Sequence, residues 1–275
     1  NVAVLVGPDG KIAGKYRKAT LPRGEIVDVV KSSGLRGRGG GGFPTGLKWD
    51  GLLQTEPTTY LVCNGAEGEP ATFKDRLLMR RNPYQLLEGV AIAAYATGAT
   101  AAYVAVKEAF EQEIRALKTA MSEMGERDLL GAVPMHLHLG PDEYLFGEEK
   151  ALMEVLEGKD PMPRMMPPHM LGLFGEPYAP NPTVSNNVET LFNVPPIVEW
   201  GPEWFRSVGT ERSPGTMVLT LVGDVKRPGV YEVPLGTPFA KLLELAGGMR
   251  GRHVRRLLHI AVQPLDQRDV FRERR

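Results

Sequence analysis

The sequence predicts an α/β protein in which a domain built on a parallel sheet is followed by a small module of the β-grasp type. Two observations support this fold class. Between residues 60 and 157, apolar segments of strand length alternate with helical patterns, which is the arrangement that produces parallel sheets. From residue 217 onward, two strand patterns separated by a turn precede a single helix.

The elements of the first domain follow from hydrophobic periodicity and from the positions of glycine and proline. In chain order, the patterns predict a helix at 25–33, a strand at 60–63, a helix at 83–96, a strand at 101–106, a helix at 109–124, a strand at 135–139 and a helix at 148–157. Residues 160–182 are rich in proline and methionine and show no period, which predicts a long ordered loop. A helix at 187–193 follows, and Pro195 and Pro196 are expected to interrupt it.

The second unit is predicted from strands at 217–222 and 230–233, a glycine-containing turn at 223–229 and a helix at 237–246. Thr237 is a suitable N-cap for that helix, and the following glycines end it. Residues 249–275 contain eight arginines and two histidines against three acidic residues and lack a clear period. We therefore divide the chain into a domain at 1–212, a module at 213–248 and a basic tail at 249–275. The tail is expected to be disordered or to bind a partner.

Composition excludes several classes of protein. The 33 basic and 33 acidic residues balance, so no nucleic-acid or membrane surface is expected as a partner. Cys63 is the single cysteine, which leaves no disulfide and no iron–sulfur cluster within this chain. The longest apolar stretch, at 86–96, is too short for a membrane span, and no signal peptide is evident. A cytoplasmic protein is therefore expected.

The glycine-rich segment 37–42 formally matches the dinucleotide pattern GxGxxG. Its context argues against the ordinary version, because a helix precedes it and Pro44 disfavours a helical Phe43 directly after it. Consecutive glycines still let backbone N–H groups approach an anion closely. Positive and aromatic side chains surround the segment: Arg36, Arg38, Lys48, Phe43 and Trp49. The composition favours a ligand with a phosphate and a flat ring over the alternative, a flexible linker.

Three later segments place polar groups at the ends of predicted strands or at the starts of helices. Residues 64–70 leave a buried strand, where Asn64 could bond a flavin and Glu67 and Glu69 could accept from ribose hydroxyls; a solvated acidic turn is the alternative. Residues 144–149 open a helix, where the helix dipole alone would favour glutamates. Residues 186–190 also open a helix, and their asparagines suit either capping or anion binding.

Taken together and in this order, segments 33–49, 64–76, 144–158 and 186–191 resemble the FMN- and NADH-binding subunits of respiratory complex I. That family also includes flavoprotein subunits of NAD-linked hydrogenases and formate dehydrogenases. Residues 215–248 resemble its ubiquitin-like SLBB domain, so the likeness covers about 26–248. The resemblance implies a Rossmann-like domain that holds FMN, with NADH as the substrate that stacks on the flavin and transfers a hydride.

The resemblance also implies a set of site residues. The FMN phosphate region would be held by Gly37, Arg38, Gly39, Gly40 and Lys48, and the flavin would be lined by Asn64, Tyr144, Gly147, Glu148, Asn186, Asn187 and Thr190. NADH would face Phe43, Glu67, Glu69 and Glu149. No catalytic acid–base residue and no metal ligand is implied.

The expected partners are iron–sulfur redox subunits, among them a thioredoxin-like protein with a 2Fe–2S cluster. The implied activity is that of an NADH oxidoreductase with a quinone-type acceptor, peripheral to a membrane complex on its cytoplasmic side.

Several positions depart from the family pattern. Ala66 stands where the family usually has aspartate, Phe146 where it has cysteine, and Gly51 and His169 where aromatic residues help to bind NADH. The cysteines of the family's 4Fe–4S domain are absent from this chain. These departures leave open an alternative, in which the chain is a non-catalytic or truncated relative that acts as a binding or scaffold subunit of a redox complex.

Overall fold

The computed structural model describes residues 2–6, 12–17, 21–53, 59–250 and 259–261. Its strands are β1 Val2–Val6, β2 Ile12–Arg17, β3 Tyr60–Gly65, β4 Ala101–Lys107, β5 Met135–Gly140, β6 Thr183–Asn187, β7 Thr216–Val222, β8 Gly229–Pro234 and β9 His259–Ala261. Its helices are α1 Arg23–Ser33, α2 Thr45–Asp50, α3 Lys74–Arg81, α4 Pro83–Thr97, α5 Glu111–Glu126, α6 Glu149–Leu156, α7 Val188–Phe192, α8 Val194–Trp200, α9 Pro202–Arg206 and α10 Phe239–Leu245. A 3-10 turn at Tyr144–Gly147 precedes α6.

The first domain contains a four-stranded sheet in the order β5-β4-β3-β6, and every neighbouring pair is parallel. The predicted α/β class is therefore confirmed. The strands start nearly level, since Tyr60 pairs with both Ala101 and Thr183. Their carboxyl ends consequently meet along one edge of the sheet, and the polar segments that follow them are brought together there.

Helices cover both faces of this sheet. On one face, Leu61 and Cys63 pack in the main core with α1, α4 and α5. On the other face, Val62 packs with Phe146 and Leu152 near α6. Burial raises the pKa of the Cys63 thiol far above its usual range, so this cysteine is an inert core side chain. None of the helices in these described ranges is long and apolar enough to cross a membrane.

Several parts of the first domain differ from the sequence-based expectation. Strand β6 and helices α2, α3, α8 and α9 were not predicted, and β1 pairs with β2 in an antiparallel hairpin near the start of the chain. Strand β6 ends in Ser-Asn-Asn, so its apolar signal is weak, yet Ser185 and Asn186 are buried. Helix α7 ends at Phe192, before Pro195 and Pro196, as the pattern predicted. They lie in the first turn of α8, where proline removes an N–H group that has no helical partner anyway.

The second unit is a three-stranded antiparallel sheet in the order β8-β7-β9, with α10 packed against it. Its small core contains Leu219, Leu221, Val233 and Leu242. Strand β9 lies within the segment predicted as a basic tail and pairs with β7 through Thr220 and Ala261. The remainder of that segment, from residue 251 onward, lies outside the described residues.

Candidate functional site

A cavity of about 470 Å³ opens at the carboxyl ends of β3 and β6. Its wall comes from four segments at 37–48, 64–69, 144–149 and 185–190, together with Asp75 at the start of α3. Cavities of this size hold small molecules and cofactors. In open α/β sheets, ligands bind at the carboxyl edge of the strands, where this cavity lies.

All the predicted site residues except Arg38 and Gly40 line this cavity. The group comprises Gly37, Gly39, Phe43, Lys48, Asn64, Glu67, Glu69, Tyr144, Gly147, Glu148, Glu149, Asn186, Asn187 and Thr190. Arg38 is 4% exposed, and its guanidinium donates to the carbonyl oxygen of Thr216 in β7, 2.9 Å away. Gly40 has a φ of +114°, a backbone conformation that residues with a side chain rarely adopt. Its role in the loop is therefore to form a turn of the backbone. The expected phosphate contact from the Arg38 side chain is therefore not supported by its position.

Sequence reasoning missed several wall residues. Gly41, Gly42, Gly68, Asp75, Leu145 and Ser185 also face the cavity. Ser185 was missed because β6 was missed, and Asp75 because the charged sequence of α3 hid that helix. Ala66, noted above as a departure, does lie in the wall, whereas Gly51 and His169 do not.

The glycine loop is closed at its base by two backbone hydrogen bonds. Gly37 N–H donates to Phe43 O and Thr45 N–H donates to Leu35 O, each at 2.9 Å. Between these bonds, the amides of residues 39–42 donate no hydrogen bond to any described part of the chain. A Cβ at Gly39 would lie 3.1 Å from Cβ of Asn187, whereas one at Gly41 would meet nothing within 4 Å. The loop therefore presents free N–H groups beside open space, which suits an anion.

Lys48 is the only cationic side chain in the described cavity wall. Its ammonium group lies 2.6 Å from Glu149 Oε1 and donates to the Ser185 carbonyl at 2.7 Å. These two contacts connect α2, α6 and β6 across the cavity. The ammonium is thus held in place, and its remaining hydrogen-bonding capacity can serve a ligand.

Two wall carboxylates cap helices. Glu148 accepts from the amides of Lys150 and Ala151 at the start of α6. Glu67 accepts from the amides of Asp75 and Arg76 at the start of α3, at 3.0 and 3.2 Å. Both interactions stabilise helix N-termini. At Glu148, helix capping alone accounts for the carboxylate, which is the alternative to ligand binding that the sequence left open.

The remaining polar groups at the mouth also hold one another. Asn64 donates to the Gly147 carbonyl at 2.9 Å and accepts from the Ala66 amide at 3.1 Å. Tyr144 donates its hydroxyl to Glu69 Oε1 at 2.8 Å. Tyr144 and Phe43 are each 59% exposed, so their rings border the cavity and are free to contact a planar ligand.

Burial, followed by the negative charge of Asp75, raises the pKa of Glu67 to about 7. The folded chain therefore holds this proton more strongly than the unfolded chain does. The stability that Glu67 contributes is greatest below the ordinary pKa of 4.5 and is lost as the pH rises through the folded-state pKa of about 7. The pH window of this effect overlaps the physiological range.

We expect Glu67→Gln to reduce the loss of thermal stability between pH ~5.5 and pH ~8, because the amide cannot ionise. The measurement is the melting temperature of both proteins at the two pH values. Glu108→Gln, at an exposed glutamate, serves as the control and should follow the wild-type pH dependence. A Glu67→Gln slope equal to the wild-type slope would show that Glu67 does not titrate in this window.

Trp49 has a different role from the expected stacking surface. Its side chain is fully buried, and its indole N–H donates to Asn186 Oδ1 at 2.8 Å. Asn186 lies in the cavity wall, so this bond fixes the orientation of its amide. Trp49 acts on the cavity from behind and cannot contact a ligand ring.

We expect Trp49→Phe to lower the free energy of unfolding by about 1–3 kcal/mol, since the buried Asn186 oxygen loses its donor. Chemical denaturation measures this change. Trp200→Phe is the matched control, because Trp200 is 57% exposed, and its effect should stay within about 0.5 kcal/mol. Equal effects of the two substitutions would contradict the assigned role of Trp49.

A buried cluster of charges lies directly behind the cavity. Lys74 contacts Asp75 at 2.8 Å and Glu189 at 2.9 Å, and all three side chains are almost completely buried. Asn187, in the wall, donates to Asp75 Oδ2 at 2.7 Å and accepts from Lys74 at 3.1 Å. The attraction of the two carboxylates outweighs burial and raises the pKa of Lys74. The ammonium therefore stays charged and orders the wall around Asn187.

Two sequence families match the chain. The family described as the Nuo51 FMN-binding domain matches residues 30–196, which include every wall segment of the cavity. The SLBB domain family matches residues 218–263, which include β9. The second match extends beyond the boundary at 248 that the sequence pattern suggested.

Curated relatives and solved structures agree with these matches. An NADH-quinone oxidoreductase component of Rhizobium meliloti is 43% identical over 275 residues, covering 91% of this chain and 64% of that protein. The corresponding NADH-quinone oxidoreductase component of Aquifex aeolicus is 39% identical and covers 88% of this chain and 58% of that protein.

A crystal structure of an NAD+-reducing NiFe hydrogenase in the H2-reduced state has a TM-score of 0.77 and 39% identity. The match covers 83% of this chain and 40% of the hydrogenase chain. The chain thus spans between 40% and 64% of the length of these three relatives.

Proposed function

Because this chain belongs to the Nuo51 FMN-binding domain family, we propose that its cavity binds FMN and that the chain is the flavoprotein part of an NADH-oxidising enzyme. One observation carries the proposal. Loop glycines whose amides have no protein partner in the described chain line the cavity, together with Lys48, the only cationic side chain in its described wall. A phosphate ester is the ligand that such a loop favours.

The described residues fit FMN in three respects. The cavity volume is within the range of cofactor sites. A side chain at position 39 would lie very close to Asn187, so a glycine suits this position. The space in front of Gly41 is open for a ligand. Amide side chains of Asn64 and Asn186 are fixed by hydrogen bonds and can present polar atoms to the edge of an isoalloxazine ring.

FMN, when bound, supplies the hydride-accepting chemistry, and the protein supplies binding and orientation. We assign the loop amides and Lys48 to the phosphate, and Asn64, Asn186 and Thr190 to the flavin. Phe43 and Tyr144 border the mouth, where their rings can restrict water and contact a nicotinamide or adenine. We assign Glu69 and Glu149, which lie in the cavity wall, to the ribose hydroxyls of NADH. No acid–base side chain is needed for the transfer itself.

The onward path of the electrons is also proposed. The relatives include an NADH-quinone oxidoreductase and an NAD+-reducing hydrogenase, both of which exchange electrons with NAD. Iron–sulfur partner subunits, including a thioredoxin-like protein with a 2Fe–2S cluster, would accept electrons from this chain. A quinone-type final acceptor would place the assembly at a membrane, with this chain peripheral on the cytoplasmic side.

One observation favours the second candidate, a flavin-binding or scaffold subunit without turnover. Ala66 is fully buried in the cavity wall, where the family resemblance leads us to expect an aspartate. The wall keeps other carboxylates at Glu67, Glu69 and Asp75, so the cavity remains acidic. The two candidates differ in one property: both bind FMN, but only the enzyme lets NADH reduce it.

The binding proposal is tested by titrating the purified, flavin-free chain with FMN and with riboflavin while following flavin fluorescence. We expect saturable binding of one FMN per chain and weaker binding of riboflavin, because riboflavin lacks the phosphate. Equal affinities for the two flavins would contradict the role of the glycine loop. Absence of binding for both would refute the proposed function.

A further inference from the structure

The glycine loop is attached to the second unit of the protein through Arg38. The Arg38 guanidinium donates to the Thr216 carbonyl through Nη2 at 2.9 Å and Nε at 3.2 Å, and to the Pro214 carbonyl at 3.4 Å. Its backbone N–H donates to Thr190 Oγ1 at 2.8 Å. One residue of the loop therefore connects α7 with the start of β7.

Strand β7 makes two further contacts with the first domain. The Val218 amide donates to Glu189 Oε1 at 2.8 Å, and the Thr220 hydroxyl accepts from the Phe73 amide at 3.1 Å. The Thr216 carbonyl and the Val218 amide lie along one edge of the strand, since the backbone polar groups of alternate residues have the same orientation, whereas Thr220 contributes its side-chain hydroxyl. Glu189 contacts Lys74, and Phe73 precedes Lys74 in the chain. Lys74 in turn donates to Asn187 in the cavity wall.

We propose that Arg38 and Glu189 are positioning residues through which strand β7 fixes the phosphate-binding loop and Asn187, although β7 itself contributes nothing to the described cavity wall. This inference rests on the proposed function, because it assigns the phosphate of FMN to that loop. The small β-grasp module thereby determines how tightly the first domain holds the phosphate of its cofactor.

The physical reason lies in the cost of ordering glycine. Four consecutive glycines have more backbone freedom than any other sequence, so holding them in one conformation costs conformational entropy. Contacts that hold the loop in one conformation before the ligand binds reduce the entropy lost on binding. They therefore raise the affinity by preorganisation. Arg38 is such an anchor, because its planar guanidinium contacts two carbonyl groups of the second unit that lysine cannot reach in the same geometry.

The test compares the affinities of FMN and riboflavin in Arg38→Lys, which keeps the charge and loses the planar donor fork. We expect about tenfold weaker FMN binding, while riboflavin affinity changes by less than about twofold. The ratio of the two affinities is the informative quantity. A residue that merely supports the fold would weaken both flavins together.

Thr220→Val provides a second variant, since it removes the acceptor for Phe73 and lies outside the cavity. We expect it to lower the FMN-to-riboflavin affinity ratio by about threefold. Thr237→Val is the matched control in the same unit, because its hydroxyl donates to the Pro234 carbonyl within the module, and it should leave the ratio unchanged.

An unchanged ratio in folded Arg38→Lys would overturn the inference while leaving FMN binding intact. If Arg38→Lys does not fold, an unchanged ratio in Thr220→Val has the same consequence. A wild-type chain that binds neither flavin would instead refute the proposed function itself.

Discussion

Lys74→Met is expected to lower the free energy of unfolding by about 3–5 kcal/mol, the largest stability effect predicted for this chain. Lys74 is the shared partner of Asp75 and Glu189 in a region almost without solvent. Methionine fills a similar volume but leaves Asp75 buried without its ammonium partner and Glu189 with the more distant Arg38 Nε, 3.9 Å away. The penalty comes from those carboxylates and not from lost packing.

Chemical denaturation of Lys74→Met and wild type measures this effect. Lys31→Met is the control, because the Lys31–Asp50 pair is as short, at 2.6 Å, but both side chains are 40% exposed. An exposed pair of this kind contributes about 0–1 kcal/mol. A similar loss in both variants would show that burial is not what makes the Lys74 cluster important.

Lys48→Glu is expected to weaken FMN binding by about 100-fold or more, the largest functional effect predicted. The substitution replaces the only cation of the described wall with a like charge for the phosphate. It also places a second carboxylate beside Glu149, which loses its partner at 2.6 Å. Riboflavin, which has no phosphate, should lose much less affinity.

Fluorescence titration with both flavins measures this change, and the melting temperature reports whether the variant remains folded. Lys118→Glu carries the same change of charge at an exposed position of α5 that does not line the cavity, and it should bind FMN as wild type does. Unchanged FMN affinity in folded Lys48→Glu would contradict the placement of the phosphate at the glycine loop.

The predictable part of the fold followed from segments whose local pattern matches their environment. Strands β3 and β4 are apolar and buried on both faces, and α4 and α5 have clear helical patterns. The position of the cavity followed from the polar residues that come directly after β3. The site residues were assigned from the family resemblance. That resemblance depended on the order of four motifs and not on any one of them.

The missed features depend on contacts between distant parts of the chain. Strand β6 ends in polar residues, and Asn186 can be buried there because Trp49, 137 positions away, donates to it. Arg38 was assigned to the phosphate because a cation beside glycines suggests an anion. Its acceptors in the second unit are backbone carbonyls 176 and 178 positions away. Every residue has a backbone carbonyl, so the sequence does not indicate which of them accepts.

The central claim, that this cavity holds FMN where NADH can reduce it, has one direct test. The purified chain is loaded with FMN, freed of unbound flavin, and mixed with NADH in the absence of oxygen while the flavin absorbance near ~450 nm is followed. The account predicts rapid bleaching in the loaded wild-type chain and a much smaller absorbance change in Lys48→Glu, which should retain little flavin after unbound FMN is removed. Retained FMN that NADH does not bleach would contradict the claim and support the scaffold alternative.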